Sequence, residues 1–165
     1  MNWTVYLLQA AVLLLIFTAA VVPGLTRDPV SFVSSFPPDI QAVYYRTQGI
    51  PRPKAPFTRA ELIRKLMVLL LSLFPLGWLA KLCGAESFAG SFWMILSDFV
   101  IIAGFDTFLL DWVFFPRVRC WRLPGTENMD QAYRQKWFHL KGVLLMTPVF
   151  LLYALAAAAI RVWLF

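Results

Sequence analysis

Long apolar stretches alternate with polar segments along this chain. The apolar stretches run over about residues 3–22, 66–85, 92–115 and 143–164. Each is long enough to cross a hydrocarbon layer of roughly 30 Å as an α-helix. Because lipid offers the backbone no hydrogen-bonding partner, segments of this length are better explained as transmembrane helices than as strands or a soluble core. The pattern predicts an all-α membrane protein with four transmembrane helices in a small bundle.

Local signals predict the ends and contacts of these helices. Pro23 and Gly24 are expected to end the first helix near residue 22, because proline lacks the N–H that a continuing helix needs. A patch of small residues on the fourth span suits close contact with another helix; it consists of Ala154, Ala156, Ala157, Ala158 and Ala159.

The segment between the first two spans carries three further signals. Pro37-Pro38-Asp39 predicts the start of a short helix at about residues 38–47. This helix lies on the membrane, packs against the bundle, or serves as an ordinary packed connector. Residues 49–56 are expected to form an extended linker, and Glu61 is expected to complete a capping box with Thr58 at the start of the second span.

The composition agrees with a single membrane domain. Hydrophobic residues make up 60% of the 165 residues, whereas soluble proteins have roughly 45 to 50%. Four spans and two long loops, at about residues 23–65 and 116–142, account for the chain. We therefore expect one transmembrane domain over residues 1–165 and no separate soluble domain.

The basic residues are unevenly distributed and predict the orientation. Of the 15 Lys and Arg residues, all but Lys81 and Arg161 lie in the two long loops. By the positive-inside rule, these loops are cytoplasmic and both termini lie outside. The absence of a basic residue before the first span argues against a cleaved secretory signal. Topology accounts for the positive charge, so we expect anionic lipid headgroups rather than nucleic acid as partners of these loops.

Aromatic residues gather near the predicted cytoplasmic boundary. They are Trp112, Trp121, Trp137 and Tyr133. Their position is typical of an aromatic belt at the level of the lipid headgroups.

Three aspartates lie in the third span, where charge is costly and commonly marks function. On a straight α-helix, Asp98 and Asp106 lie about 80° apart, on the side opposite Asp111. Either the helix bends at Gly104 or two different interfaces each receive an acid. We expect Asp98 and Asp106 to bind a proton or another cation, because a carboxylate at this depth is protonated or requires a partner.

Asp111 is expected near the cytoplasmic surface, at the level where the fourth span begins. The helical hairpin brings Asp111 within reach of His139 or Lys141. This contact is either a structural ion pair or part of a catalytic site, in which Arg119 or Lys141 holds a phosphate group. Glu127 either stabilises the start of a short helix or faces the basic loop.

Several classes of site lack their required residues. One histidine cannot supply the two ligands of a bis-histidine haem, and no Cys and His cluster forms a zinc site. The chain has no phosphate-binding loop, serine elbow or glycine-rich dinucleotide turn. We therefore expect neither a metal nor a cofactor.

Three motifs in the second half of the chain carry a resemblance to a known family. They are Asp111-Trp112-Val113-Phe114-Phe115, Pro124-Gly125-Thr126-Glu127 and Phe138-His139-Leu140-Lys141-Gly142, with Phe36-Pro37-Pro38-Asp39-Ile40-Gln41 as a further match. The chain resembles a family of small bacterial four-span membrane proteins with no assigned activity. The resemblance implies a multi-pass protein of the bacterial inner membrane. It also implies that Asp111, Glu127, His139 and Lys141 belong to one unit.

The sequence leaves three functions open, and with them the question of whether the protein is an enzyme. The first is proton or cation transport through Asp98 and Asp106, with Asp111 and His139 at the cytoplasmic exit. Because four spans make a narrow bundle, transport implies a homo-oligomer with a pathway between subunits. The second is an accessory subunit that binds another membrane protein. The third is an enzyme of the cytoplasmic leaflet that acts on a lipid or isoprenoid.

Thiol labelling tests the predicted orientation. Single cysteines are introduced as Arg52→Cys, Asn128→Cys and Ser87→Cys, after Cys83 and Cys120 have been replaced by serine. We expect an impermeant thiol reagent added to intact cells to label only the Ser87→Cys protein, because residue 87 lies in the short outer loop. Labelling of residues 52 and 128 from outside would show that the predicted orientation is wrong and that the long loops lie outside.

Overall fold

The computed structural model describes residues 1–53 and 58–165, with the side chain of Glu61 left aside, and these residues are mostly helical. Within these residues no strand occurs. The helices are α1 (Trp3–Arg27), α2 (Pro38–Gln48), α3 (Arg59–Leu82), α4 (Phe88–Gly104), α5 (Asp130–Tyr133) and α6 (Lys136–Leu164). Helix α4 continues directly as a π-helix, Phe105–Phe114, and short 3-10 helices cover Pro29–Ser35 and Arg119–Trp121.

Four helical segments are long and apolar enough to cross a membrane. They are Trp3–Arg27, Leu62–Leu82, Phe88–Phe114 and Asp130–Leu164. Large apolar side chains remain exposed on each of them, for example at Leu15, Val68, Val100 and Leu145. Exposed apolar surface of this extent is suited to contact with lipid chains rather than water. The prediction of an all-helical chain with four such helices is confirmed, while the side on which each terminus lies stays a prediction.

The helices extend beyond the apolar stretches that predicted them. Helix α1 passes through Pro23 and ends at Arg27, so the predicted end near residue 22 is wrong. A proline removes one backbone hydrogen bond, whereas ending the helix would leave several carbonyls without partners in lipid. Helices α3 and α6 begin at Arg59 and Lys136, where polar residues continue the helix past the apolar segment.

Contacts divide the chain into two compact units. Unit 1 comprises Met1–Leu15, Phe57–Ala103 and Leu145–Phe165, and unit 2 comprises Ile16–Pro56 and Gly104–Leu144. The linker predicted at residues 49–56 lies partly outside the described residues, and the capping role predicted for the Glu61 side chain lies entirely outside them.

In unit 1, helices α3 and α6 pack closely through small residues. Ala154, Ala157 and Ala158 of α6 are buried. A Cβ atom added at Gly77 of α3 would lie 3.2 Å from the Ala157 carbonyl oxygen and 3.3 Å from the Arg161 backbone nitrogen. The two backbones therefore approach closely at Gly77, as the small-residue patch predicted for the fourth span.

In unit 2, the short helix α2 starts as the sequence predicted. Pro38 and Asp39 occupy its first turn, and the helix ends at Gly49, whose φ of +65° favours glycine. Ile40 and Tyr44 of α2 are buried in an apolar core. The apolar side of α2 thus packs against protein, which agrees with its interpretation as a packed connector.

The core of unit 2 is largely aromatic and includes residues from both long loops. Phe36 contacts the rings of Phe115 and Tyr133, at centroid distances of 5.1 and 6.1 Å. Trp121 and Tyr133 are buried in this core, with exposed fractions of 4% and 0%. Their assignment to an aromatic belt is therefore wrong, whereas Trp137 is 78% exposed and remains available to the lipid boundary.

Polar contacts organise the second long loop around Tyr133. The Tyr133 hydroxyl accepts a hydrogen bond from the Leu123 N–H at 2.9 Å and lies 2.7 Å from the Thr126 hydroxyl. The Arg122 guanidinium lies over the Tyr133 ring, 4.9 Å from its centroid, and forms an ion pair of 2.5 Å with Asp130. These contacts satisfy the polar groups that surround the aromatic core.

Substitution of Gly77 tests the close packing of α3 and α6. We expect Gly77→Val to destabilise the protein by about 1 to 3 kcal/mol, because the added carbons collide with a backbone that cannot move aside. The matched control is Gly142→Val in α6, where a Cβ would meet no atom within 4 Å. Unfolding of both variants in mixed detergent micelles measures the difference. Equal losses at the two positions would contradict close packing at Gly77.

Candidate functional site

The π-helix Phe105–Phe114 determines where the acids of the third span lie. In a π-helix each N–H bonds to the carbonyl five residues earlier, as the Phe115 N–H does to the Leu110 carbonyl at 2.7 Å. Residues five apart, such as Asp106 and Asp111, therefore lie on the same side. A straight α-helix would separate these two acids by about 140°. The sequence left open a bend at Gly104, and the structure shows a change of helix type directly after that residue.

The structure brings Asp111 and His139 together. The Nδ1 atom of His139 lies 3.0 Å from Oδ2 of Asp111, and their side chains are 8% and 21% exposed. The imidazole packs edge-on against Phe115 and Phe138, each with a centroid distance of 5.2 Å. The pair is therefore held between aromatic rings at the start of α6, as the predicted helical hairpin requires.

Two further polar groups accompany this pair in unit 2. Asp106 is close enough to interact electrostatically with both Asp111 and His139. The Nε2 atom of His139 and the hydroxyl of Thr107 are buried, and neither has a hydrogen-bond partner in the described part of the chain. We call Asp106, Asp111 and His139 the acid–histidine cluster. Asp106 shares unit 2 with Asp111 and His139, whereas Asp98 lies in unit 1.

The geometry of this cluster is suited to binding a proton. When Nδ1 of His139 carries its hydrogen toward Asp111, Nε2 presents a lone pair that no described residue occupies. This lone pair is the position at which the ring can accept a second proton. No group of three or more His, Cys, Asp or Glu side chains that could hold a metal ion occurs among the described residues.

The remaining candidates of the sequence analysis lie on exposed segments of unit 2. Arg119 is exposed in the second 3-10 helix, and Lys141 is exposed on α6. The Glu127 carboxylate accepts a hydrogen bond from the Gly125 N–H at 2.8 Å. Backbone hydrogen bonds, from Glu127 itself and from Gly125, lower the pKa of this carboxyl group below its usual value. Glu127 therefore stabilises its own turn.

Asp98 lies in unit 1, in different surroundings from Asp106. Asp98 is 3% exposed, and its Oδ2 atom accepts a hydrogen bond of 2.6 Å from the side-chain amide of Gln9 in α1. The Gln9 carbonyl oxygen in turn accepts a bond of 2.9 Å from the Cys83 thiol. Nearby, the hydroxyl groups of Tyr6 and Ser97 lie 2.7 Å apart.

Gln9 was not predicted as part of a site, although the chain contains a signal for it. Gln9 carries an uncharged polar side chain within the first span, where a lone amide is costly unless it has a partner. Its partner, Asp98, is distant in the sequence, so the pairing itself could not be read from spacing. Intramembrane amides and acids on different spans are thus worth considering together.

Comparison of this chain with protein families, with curated proteins and with solved structures gives no match. The family resemblance therefore rests on the three motifs alone. Within those motifs, the described contacts join Asp111 to His139, and they place Glu127 in a separate turn.

A double-mutant cycle tests the pairing of Asp111 with His139. We expect Asp111→Asn or His139→Gln alone to destabilise the protein by about 1 to 3 kcal/mol, because each leaves the other partner buried without its bond. The double variant should lose less than the sum of the single losses. Unfolding in mixed micelles gives the three values.

The control cycle combines Asp39→Asn with His139→Gln. Asp39 is exposed and accepts a hydrogen bond from Gln135. The loss of stability caused by Asp39→Asn should therefore add to the loss caused by His139→Gln. Additive losses in the Asp111 cycle as well would show that the pair contributes no coupling energy.

Proposed function

We propose that this protein carries protons across the bacterial inner membrane, with the acid–histidine cluster as its proton-binding site. The observation that carries this proposal is the buried His139 ring, whose Nδ1 faces Asp111 at 3.0 Å while Nε2 has no partner in the described residues. A buried nitrogen without a hydrogen-bond partner is costly, and such exceptions are often found where the group has a functional role. Histidine is also the side chain whose unperturbed charge changes near physiological pH.

The location of the cluster supports transport. Asp106 and Asp111 lie in a segment long and apolar enough to cross a membrane, and ionisable groups in such segments commonly belong to proton pathways. They occur in a π-helix, a conformation frequently found at functional sites. Since four spans make a narrow bundle, the proposed pathway lies between subunits of a homo-oligomer.

Transport accounts for these residues better than lipid chemistry does. An enzyme acting on a lipid phosphate needs a cation beside its acid and base, and the candidates for that role were Arg119 and Lys141. Both side chains are exposed, and no contact between them and the Asp111–His139 pair occurs within the described residues. The proposed function therefore requires only the cluster itself.

Proton flux into reconstituted vesicles tests the proposal. The purified protein is placed in vesicles that contain a pH-sensitive dye, and a potential is applied to drive protons inward. We expect Asp106→Asn and His139→Gln each to reduce the flux to that of empty vesicles, because neither amide binds a proton near neutral pH. The Asp39→Asn control removes an exposed acid and should retain the flux of the parent.

Two results would overturn the proposal. One is a parent protein whose vesicles take up protons no faster than empty vesicles. The other is a folded Asp106→Asn or His139→Gln variant as active as the parent. Either result would favour an accessory subunit that binds another membrane protein.

A further inference from the structure

Three polar side chains form a hydrogen-bonded chain inside unit 1. The Cys83 thiol, just after α3, donates to Oε1 of Gln9 on α1, and Nε2 of Gln9 donates to Oδ2 of Asp98 on α4. The two distances are 2.9 and 2.6 Å. Cys83 is fully buried, and Gln9 and Asp98 are 7% and 3% exposed. This thiol–amide–acid chain is separate from the acid–histidine cluster, which lies in unit 2.

The Cys83 thiol fixes the orientation of the Gln9 amide. The thiol is a weak donor that faces the carbonyl oxygen of the amide, which agrees with the NH₂ group facing the Asp98 carboxyl oxygen. The NH₂ end is then directed at Asp98. Gln9 is therefore a positioning residue that offers the buried acid one donor of fixed direction.

Asp98 has less support than an ionised carboxylate requires. Its side chain is buried away from water, and the Gln9 amide is the donor described for it. The second oxygen, Oδ1, is buried and has no partner in the part of the chain that the structure describes. Among the described residues, the titratable groups that interact with Asp98 are Tyr6 and Cys83. Neither side chain can carry a positive charge.

We propose that Asp98 is a second proton-binding site, which holds its proton on Oδ1 at neutral pH while Oδ2 accepts the hydrogen bond from Gln9. A neutral acid avoids the cost of a buried, poorly solvated charge. The proton resides on Oδ1 because the Gln9 amide occupies the other oxygen, Oδ2. This site does not depend on the acid–histidine cluster or on proton flux.

Infrared spectroscopy of the protein in lipid tests the protonation of Asp98. The aspartate carboxyl carbons are labelled with carbon-13, and spectra are recorded at mildly alkaline pH, where exposed acids are ionised. We expect the C=O stretch of a protonated aspartic acid, identified by its isotope shift. The band should disappear in Asp98→Asn and persist in Asp39→Asn and Asp106→Asn. If the band disappeared in Asp106→Asn instead, the proton would belong to Asp106 and the proposal for Asp98 would be wrong.

The role of Gln9 is tested in the same spectra. Gln9→Leu removes the bond to Oδ2, so the C=O band should shift in frequency, whereas Cys83→Ser keeps a donor to Gln9 and should leave it unchanged. The matched control is Gln135→Leu, which removes an amide bound to the exposed Asp39. A band that Gln9→Leu does not move would overturn the positioning role.

The test remains decisive if Asp98→Asn fails to fold. A labelled parent protein without any protonated aspartate band would by itself show that Asp98 is ionised and overturn the proposal. The flux measurement is a separate experiment. A protein that carries no protons but retains the Asp98 band would refute transport and leave this site intact.

Discussion

A hydrocarbon layer provides no water, so each polar group inside it must find its partner within the protein. This constraint accounts for the continuous helices, for the passage of α1 through Pro23, and for the partners of the buried acids. The chain satisfies the acids in two chemically different ways. Asp98 receives a neutral amide, whose charge does not change with pH. Asp111 receives an imidazole, an aromatic base that can itself bind a proton.

The architecture was predictable because it depends on composition over long segments. Twenty apolar residues leave few alternatives to a spanning helix, and the hairpin between the third and fourth spans places Asp111 at the level of His139. The π-helix was not predictable. When every side of a helix is apolar, the sequence contains no periodic signal that distinguishes one turn length from another. A straight α-helix therefore separates Asp106 from Asp111, whereas the π-helix brings them to the same side. The Gln9–Asp98 pair depends on a contact between distant spans, which local patterns do not encode.

The loops illustrate a second limit of sequence reasoning. Trp121 and Tyr133 lie where an aromatic belt is expected, and their residue types are those of a belt. The structure instead buries both in unit 2, where Arg122 covers the Tyr133 ring and pairs with Asp130. Residue type and membrane level are the same for a buried and a lipid-facing aromatic residue. Only the tertiary contacts of the loop distinguish them.

The aromatic core of unit 2 can form only late in the synthesis of the chain. Phe36 precedes α3, Tyr133 follows the π-helix, and their rings are in contact. During synthesis, Phe36 is made well before Tyr133, so its contacts cannot form until α3 and α4 have been inserted and the chain has returned. Insertion of individual helices and their later association are distinct stages of membrane protein folding, and contacts between distant residues form slowly. Closure of this core is therefore a late event: Phe36 lacks its aromatic neighbour Tyr133 until the chain has been made that far.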